Sequence, residues 1–384
     1  MKPNIKFIRL AFMMTIVFGL TSTCNLTTLS AQPHPRKINF SDSCSPAFIR
    51  KAQRAIDNYR QQIGAPGMSV ALYDNGKTCI FISGDQGDEQ HTPVTGETDF
   101  ATGSIQKVFT ATLLAIAINQ GKATINDPAA KYLVADHNKK VKANAPFWNV
   151  TLKNLVTHSS SLPNSIPNSP QHIGINMFGD KPMADWVIQF LNSWTPSKPI
   201  GTRYHYSNLG FVLAGNVAIA LEGKVYTKLL KEYITGPLGM NRTGVLCGDN
   251  PRVSGCAVAH WPNGHPSKKM PIGLWITADD MLRFIEANLG VLKPSTELAN
   301  AIGLTHKKLF WISPDHTIGM GWERWYHGDS LLISKYGDEV GFSAWVAFEP
   351  KQKKGIAILC NGGKKGPDHP EFGKKLLALT DSDQ

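Results

Sequence analysis

Apolar and polar residues follow two different periods along the chain, and the changes of period predict its elements. Pro46–Gln62 carries apolar residues at the helical spacing, so we expect a helix there. Two short β-rich runs follow, Met68–Tyr73 and Thr78–Ser83, and Asp74–Gly76 between them is a typical hairpin turn. Ser104–Gln120 again has the helical period. The N-terminal part is therefore predicted as helix, hairpin and helix.

The middle of the chain is predicted as mostly helical and the C-terminal part as strands. The helical segments are Thr151–Thr157, Ala184–Ser193, Leu209–Leu221, Tyr226–Ile234 and Ala278–Leu289. The strands are Leu331–Lys335, Ser343–Phe348 and Gly355–Leu359, and a last helix covers Glu371–Leu379.

This order of elements predicts an α+β fold. The economical assembly is one antiparallel sheet built from both chain ends and flanked by helices, with an inserted, mostly helical lobe. We place the α/β lobe at about 32–98 and 310–384 and the helical lobe at about 99–309. A cleft between two lobes is the usual place for a ligand.

Composition excludes a disordered chain and narrows the partners. Of the 384 residues, 42% are apolar and only 18% are charged, whereas disordered chains combine low hydrophobicity with high charge. The formal charge of +11 raises nucleic acid or an anionic membrane as a partner. However, the basic residues are spread out, and no nucleic-acid module with interleaved aromatics is present. We therefore expect no nucleic-acid partner. The protein is also expected to be a monomer.

Residues 1–31 have the parts of an export signal. Three basic residues precede Leu10–Leu20, an apolar stretch of eleven residues that is too short to cross a bilayer as a helix. Small and polar residues lead to Ala31, the expected cleavage point. The alternative is a lipoprotein signal acylated at Cys24, which Thr23 fits poorly. We expect secretion to a periplasm, with no lasting membrane insertion after processing.

Removal of the signal lowers the net charge. It takes three of the 40 lysines and arginines and none of the 29 acids, so the mature chain keeps 37 against 29, or +8. The remaining 32–384 is predicted to be one catalytic domain.

The five cysteines that follow the signal suit an oxidising compartment. Cys247 and Cys256 are nine residues apart and would close a small loop. Cys44 with Cys79 is a further possible pair, but pairing does not follow from sequence alone. Cys360 makes the number odd.

Zinc is the alternative for part of this cysteine set. Cys247 and Cys256 lie near His260 and His265, and all four are zinc-ligand types. Their spacing fits no familiar zinc module, so we expect neither a metal nor another cofactor.

A first set of chemically capable residues lies at the start of the long helix. Gly103 allows an unusual backbone angle or close packing, and Ser104 follows it. Lys107 comes three residues later, so both side chains face the same way. An ammonium beside a serine hydroxyl lowers the hydroxyl pKa, and a neutral amine accepts its proton. Alone, this pattern is more often a helix cap and a surface lysine.

Two further short sets stand later in the chain. Tyr206 and Asn208 precede a helix; a phenol near two ammonium groups would have a depressed pKa, and a carboxamide offers a donor and an acceptor to an amide substrate. Lys335 and Gly337 lie at a strand end, where the glycine would leave room for a substrate backbone. A buried tyrosine, a helix cap and an ordinary edge-strand lysine are the simpler interpretations.

The three sets together form a specific order: Ser-x-x-Lys, Tyr-x-Asn and Lys-x-Gly. On these residues the chain resembles the serine β-lactamases of class C and the related penicillin-binding peptidases and esterases, whose class A relatives carry a sister motif set. Pro199–Asn208, Pro237–Met240, Gly319–Trp322 and Gly341–Phe348 resemble further segments of the family. The resemblance covers nearly the whole mature chain.

The resemblance implies a role for each residue. Ser104 would be the acylated nucleophile, and Lys107 and Tyr206 would share the proton transfers, Tyr206 also activating the deacylating water. Asn208 would hold the side-chain amide of the substrate. Lys335 would attract the substrate carboxylate and depress the pKa of Tyr206.

The resemblance also implies the remaining substrate contacts. The backbone N–H groups of Ser104 and Asp338 would form the oxyanion hole. Tyr336 stands where the family usually has a threonine whose hydroxyl binds the carboxylate, and it places its own hydroxyl further out. Gly337 would leave room for the substrate backbone to lie alongside the strand.

Two other departures bear on the substrate. The family usually has a glutamine after the leucine and proline at 162–163, whereas the nearest candidates here are Asn164 and Ser165. Trp322–Lys335 is shorter than the excursion that forms one wall of the class C site, which suggests a more open cleft.

The sequence therefore predicts an exported serine hydrolase with an acyl-serine intermediate. Hydrolysis of the β-lactam amide bond is the first prediction. A D-Ala-D-Ala carboxypeptidase, D-amino-acid peptidase or esterase of the same family is the main alternative. An inactive cell-wall-binding module is an alternative of another class.

Overall fold

One large antiparallel sheet organises the fold. The computed structural model describes residues 44–136, 139–167, 181–247, 255–260, 266, 273–363 and 368–379, so the predicted signal and His265 lie outside the described residues. The strands are β1 Gly67–Asp74, β2 Lys77–Gly84, β3 Phe100–Ala101, β4 Val134–Asp136, β5 Lys139–Lys140, β6 Trp275–Ile276, β7 Phe310–Ser313, β8 His316–Ile318, β9 Glu323–His327, β10 Ser330–Glu339, β11 Phe342–Glu349 and β12 Lys354–Asn361. Eight of them form a sheet in the order β2-β1-β12-β11-β10-β9-β8-β7.

Helices occupy most of the region between β2 and β7. They are α1 Pro46–Ile63, α2 Gln106–Asn119, α3 Leu152–Val156, α4 Lys181–Ser193, α5 Asn208–Glu222, α6 Tyr226–Leu230, α7 Gly236–Leu238, α8 Ala278–Asn288, α9 Thr296–Thr305 and α10 His369–Ala378. A π-helical turn, Lys231–Thr235, joins α6 to α7, and 3₁₀ turns cover Gly103–Ile105, Ala129–Lys131 and Pro146–Asn149. Among the described residues no single helix is long and apolar enough to cross a membrane, and only the bent pair 208–222 and 226–238 approaches that composition.

The pairing of the two chain ends confirms the predicted α+β architecture. Strand β1 pairs with β12 along its full length, from Gly67 opposite Asn361 to Asp74 opposite Lys354. The predicted β1–β2 hairpin is present, with Asn75 and Gly76 at φ 47° and 93°, as a tight two-residue turn requires. Strands β3 to β9, the short helix α7 and helix α9 were not predicted. The predicted lobe boundaries stay a prediction.

The central strands are buried on both faces. Helices α1 and α10 pack on one face, where Gly373 lies so close to Trp345 that an added Cβ would come within 2.2 Å of its ring. Helix α8 packs on the other face, where a Cβ added to Gly355 would come within 2.3 Å of the Ile285 side chain. Burial on both faces explains why β11 and β12 are almost continuously apolar.

The structure pairs four of the cysteines. Cys44 bonds to Cys79 and Cys247 bonds to Cys256, as the sequence allowed, and Cys360 is a buried free thiol. The second disulfide contradicts the zinc alternative, because both sulfurs are bonded to each other.

Asn361 joins three chain segments at the end of the sheet. Its Oδ1 accepts a hydrogen bond from Gly67 N at 2.8 Å, and its Nδ2 donates to Gln86 O at 2.8 Å and Val258 O at 3.1 Å. The side chain is fully buried. A buried polar group that loses its hydrogen-bond partner lowers the free energy of unfolding.

We expect Asn361→Ala to lower the free energy of unfolding by about 2–4 kcal/mol, because it leaves Gly67 N without its acceptor and removes the buried hydrogen bonds to Gln86 O and Val258 O. Urea denaturation measures the change. Gln352→Ala, which removes an exposed hydrogen bond to Ser330, is the control and should change stability by less than about 0.5 kcal/mol. A loss that small for Asn361→Ala would contradict this account of the sheet end.

Candidate active site

A sharp turn before α2 presents Ser104. Gly103 has φ +48°, a conformation that favours glycine, and a Cβ on it would lie 2.4 Å from Asp338 O. The turn therefore packs directly on β10. Ser104 lies in the 3₁₀ turn that continues into α2, and its side chain is partly exposed.

Three predicted residues meet at the Ser104 hydroxyl. Lys107 Nζ donates to Ser104 Oγ at 2.9 Å, because one helical turn separates the two residues. Tyr206 OH lies 2.6 Å from the same Oγ, although 102 residues separate them in sequence. The hydroxyl is thus bonded to an amine and a phenol at once.

Lys335 completes the group from the sheet. It lies on β10 and is only 2% exposed. Its Nζ is 5.3 Å from the centre of the Tyr206 ring, and Lys107 Nζ is 5.1 Å from the same centre. The Glu323 carboxylate is the partner of Lys335, at 3.8 Å.

Burial makes Lys107 a base near neutral pH. Burial, with a smaller contribution from the nearby charge of Lys335, lowers the pKa of Lys107 to about 7, while Glu339 opposes the shift. A substantial part of Lys107 is therefore a neutral amine at pH 7 and can accept the proton of Ser104.

The expected depression of the Tyr206 pKa is wrong. Burial raises the pKa of Tyr206 to about 12, and the opposing hydrogen bond with Ser104 is the smaller effect. The phenol consequently stays protonated near neutral pH and acts as a proton donor or relay. The base is assigned to Lys107 instead.

The predicted role of Gly337 also needs correction. A Cβ on Gly337 would lie 2.0 Å from Thr102 O, so the open side of this glycine faces the Ser104 turn and not a substrate. Gly103 and Gly337 together let the turn and β10 approach at backbone distance. This contact brings the backbone of Asp338 beside that of Ser104, where the predicted oxyanion hole would lie.

Tyr336 lies away from the site, which contradicts its predicted contact with substrate. Its ring packs against the core that α1 and α10 cover, with His369 at 6.2 Å between ring centres. Its partner across the strands is Trp345 of the same core. The reason is the alternation of a strand: if Lys335 faces Ser104, the next side chain faces the other side.

Asn208 remains available at the start of α5. It is exposed, and Ser207 rather than Asn208 caps the helix by accepting from Gly210 N. Asn164 Oδ1 accepts from the backbone N of Asn208 at 3.2 Å, and Ser207 Oγ donates to Pro163 O at 2.7 Å. Asn164 thus fastens the segment that carries Asn208.

The comparisons with known proteins agree with this geometry. The model of the beta-lactamase family matches residues 52–379. The chain belongs to the beta-lactamase family. The predicted resemblance to β-lactamases is thereby confirmed.

Individual beta-lactamases match over nearly their whole length. A beta-lactamase of Pseudomonas fluorescens is 26% identical over 365 residues, covering 85% of this chain and 97% of that protein. A beta-lactamase of Escherichia coli (strain K12) is 26% identical, with 84% and 91% covered. A solved class C beta-lactamase has a TM-score of 0.78 at 24% identity over 88% of this chain and 98% of its own, which supports the fold.

The sequence analysis did not identify Glu323, a charged residue of the site. Glu323 directly follows the family-like segment Gly319–Trp322, and its position on β9, opposite Ser334 of β10, brings it to Lys335. His316 Nε2 lies 3.3 Å from the other carboxylate oxygen of Glu323, without the geometry of a well-directed hydrogen bond. Burial alone would raise the pKa of Glu323. The effects of the neighbouring His316 and Lys335 are together larger and hold the pKa of this carboxyl below its usual value.

We expect the rate at which an activated ester acylates Ser104 to rise as pH increases through about 7, because only neutral Lys107 accepts the proton. Lys107→Arg should abolish this rise and reduce the rate by about 10²–10⁴-fold, since a guanidinium stays charged. Stopped-flow release of p-nitrophenol measures it. Lys122→Arg, a surface substitution beside Glu222, should behave like the native protein. A midpoint near 10 would contradict the assignment.

Tyr336→Phe should leave acylation within about two-fold of the native rate, because the ring contacts the core on the far side of the sheet. Tyr206→Phe, the same chemical change beside Ser104, should reduce the rate by about 10²-fold or more. Equal effects of the two substitutions would show that Tyr336 reaches the site.

Proposed function

We propose that this protein is a serine hydrolase that opens the amide bond of β-lactams through an acyl-enzyme. One observation carries the proposal: Ser104 Oγ is hydrogen-bonded at once to Lys107 Nζ and to Tyr206 OH. A nucleophile, a base and a proton donor within hydrogen-bond reach are the arrangement that covalent catalysis requires.

Acylation follows from the protonation states of these groups. As Ser104 Oγ bonds to the lactam carbonyl carbon, its proton moves to neutral Lys107. The N–H groups of Ser104 and Asp338 stabilise the oxyanion. When the C–N bond breaks, the Tyr206 phenol protonates the lactam nitrogen and recovers a proton from Lys107. Lys107 ends neutral, and the acyl group is an ester of Ser104.

Deacylation uses the same groups in reverse order. A water attacks the ester carbonyl, and its proton passes through Tyr206 to Lys107. The Ser104 oxygen leaves and takes that proton back. The water supplies the hydroxyl of the released acid and the proton that Ser104 regains, so no further reactant is needed.

Charge and exposure suggest how the substrate is held. The exposed carboxamide of Asn208 offers a donor and an acceptor to the side-chain amide of the substrate. Lys335 supplies a buried positive charge for its carboxylate, although Glu323 already offsets part of that charge. The relatives named beta-lactamases support this substrate class, as does a class C beta-lactamase solved in complex with cefoxitin, at a TM-score of 0.76.

A peptidase on D-amino-acid peptides, or an esterase, is the second candidate. Tyr336 stands at the family's threonine position with its ring on the far side of the sheet, so that hydroxyl does not reach the carboxylate. Strands β9 and β10 are joined directly by Gly328 and Asp329, with no added segment. Both features favour an open site that accepts larger acyl groups.

We also propose that the protein acts outside the cytoplasm. The signal-like N-terminus and the disulfides Cys44–Cys79 and Cys247–Cys256 support export, because disulfides persist mainly in oxidising compartments.

We expect a fluorescent penicillin to label the native protein covalently and to leave Ser104→Ala unlabelled, because the acyl group is an ester of Ser104. Gel fluorescence after denaturation measures the label. Ser193→Ala removes an exposed hydroxyl at the end of α4 and is the control, which should label normally. Equal labelling of Ser104→Ala and native protein would overturn the acyl-serine mechanism.

Turnover then separates the two candidates. Hydrolysis of nitrocefin, a D-alanyl-D-alanine peptide and a simple ester is measured side by side. A β-lactamase turns over nitrocefin many times per active site, whereas a peptidase is trapped by it after one equivalent.

A further inference from the structure

His158 lies directly under the proposed active site and takes no part in the chemistry described so far. It follows α3 and is completely buried. Its φ of 55° is the left-handed conformation in which helices end, a position that glycine or asparagine normally occupies. A bulky side chain there is locally unfavourable.

The imidazole joins the Tyr206 ring to the backbone that carries it. The two rings lie 4.3 Å apart between centres and are tilted by 31°. His158 Nδ1 accepts a hydrogen bond from Ser207 N at 3.1 Å, and His158 O accepts one from His205 N at 2.6 Å. The residues on both sides of Tyr206 are thus tied to His158.

Other aromatic rings hold the imidazole in this orientation. The ring centre of Phe211 lies 4.9 Å from that of His158, and the ring centre of Tyr204 lies 5.5 Å from it in an edge-on arrangement. The ring therefore has little freedom to turn, and its contact with Tyr206 is fixed.

Burial, helped by the surrounding charges, keeps this histidine neutral. Burial lowers the pKa of His158 well below its ordinary value, and the charges of Lys335, Lys107 and His205 act in the same direction, opposed by the Ser207 hydrogen bond. Because Nδ1 accepts, the proton is on Nε2. That N–H is buried without a hydrogen-bond partner among the described residues.

His306 shows how a purely structural histidine is accommodated in the same protein. It is also buried, but its Nε2 lies 2.8 Å from Asn288 Oδ1 and its φ is −81°. His158 instead combines a strained backbone angle with an unpaired N–H. Such features gather where a site needs a fixed arrangement.

We propose that His158 is a positioning residue that holds the Tyr206 phenol at Ser104 through its ring contact and its bond to Ser207 N. This inference rests on the proposed acylation of Ser104. A shift of about 1 Å in a reacting group costs up to about 10²-fold in rate, so a side chain that fixes Tyr206 has a large effect without touching the substrate.

The test replaces the ring and keeps the rest. His158→Asn retains an acceptor near the position of Nδ1 and tolerates a positive φ, but it removes the ring beside Tyr206. We expect the acylation rate constant for a fluorescent penicillin to fall by about ten-fold or more. The penicillin concentration that gives half of the maximal rate should change little. His306→Asn, the matched control, should change the rate by less than about two-fold.

A double-mutant cycle distinguishes positioning from general disruption. If His158 acts through the Tyr206 hydroxyl, His158→Asn has no further effect in Tyr206→Phe. The proposal is overturned if His158→Asn reduces the acylation rate constant by the same factor in both backgrounds, or does not reduce it in the native background.

A measurement on the native protein covers the case in which the variant fails to fold. ¹⁵N NMR of the imidazoles, with His158 assigned by its nuclear Overhauser contacts to the Tyr206 ring, should show that His158 keeps its proton on Nε2 between pH 5 and 9 and that its signal shifts when penicillin acylates Ser104. An imidazolium, or a proton on Nδ1, at His158 overturns the proposal. If the native protein is not acylated, the proposed function fails, while this tautomer still tests the placement of His158.

Discussion

A buried lysine and a half-buried lysine near one serine are the constraint on which the rest of the site depends. Like charges in a low-dielectric interior repel, so the arrangement is stable only if one is compensated or loses its proton. Glu323 lies 3.8 Å from Lys335, whereas Lys107 is in none of the ion pairs of the described residues. Lys107 therefore gives up its proton near neutral pH, and a basic amine is bonded to Ser104.

The sheet provides the rigid base for this arrangement. Strand β10 continues past the end of its pairing with β9, and this free edge receives the Ser104 turn. The approach needs glycine on both sides, at Gly103 and Gly337, because any Cβ would meet backbone atoms. The nucleophile, Lys335 and the proposed oxyanion donors are consequently held by main-chain contact rather than by mobile side chains.

Much of the fold could be predicted because local signals and burial agree. Helix α1 has a serine cap and a left-handed glycine at its end, and β11 and β12 are apolar on both faces. Strands β7 and β9 were missed because they are short and only partly buried, without a clear alternation. Helix α9 was missed although Ser295 caps it, since Gly303 weakens its helical pattern.

The site was predictable in its members and less so in their roles. Motif order identified Ser104, Lys107, Tyr206 and Lys335, and the structure brings all four together. The pKa of Tyr206 depends on burial, which the sequence does not display. Glu323 required the register of β9 against β10. The position of Tyr336, however, follows from strand alternation, which the motif comparison overlooked.

The central claim is that Lys107 is the base. The most direct measurement is an NMR titration of the lysine Nζ groups in the native protein, with Lys107→Arg used to assign the signal. We expect Lys107 to lose its proton around pH 7. A Lys107 that stays protonated up to about pH 10 would contradict it.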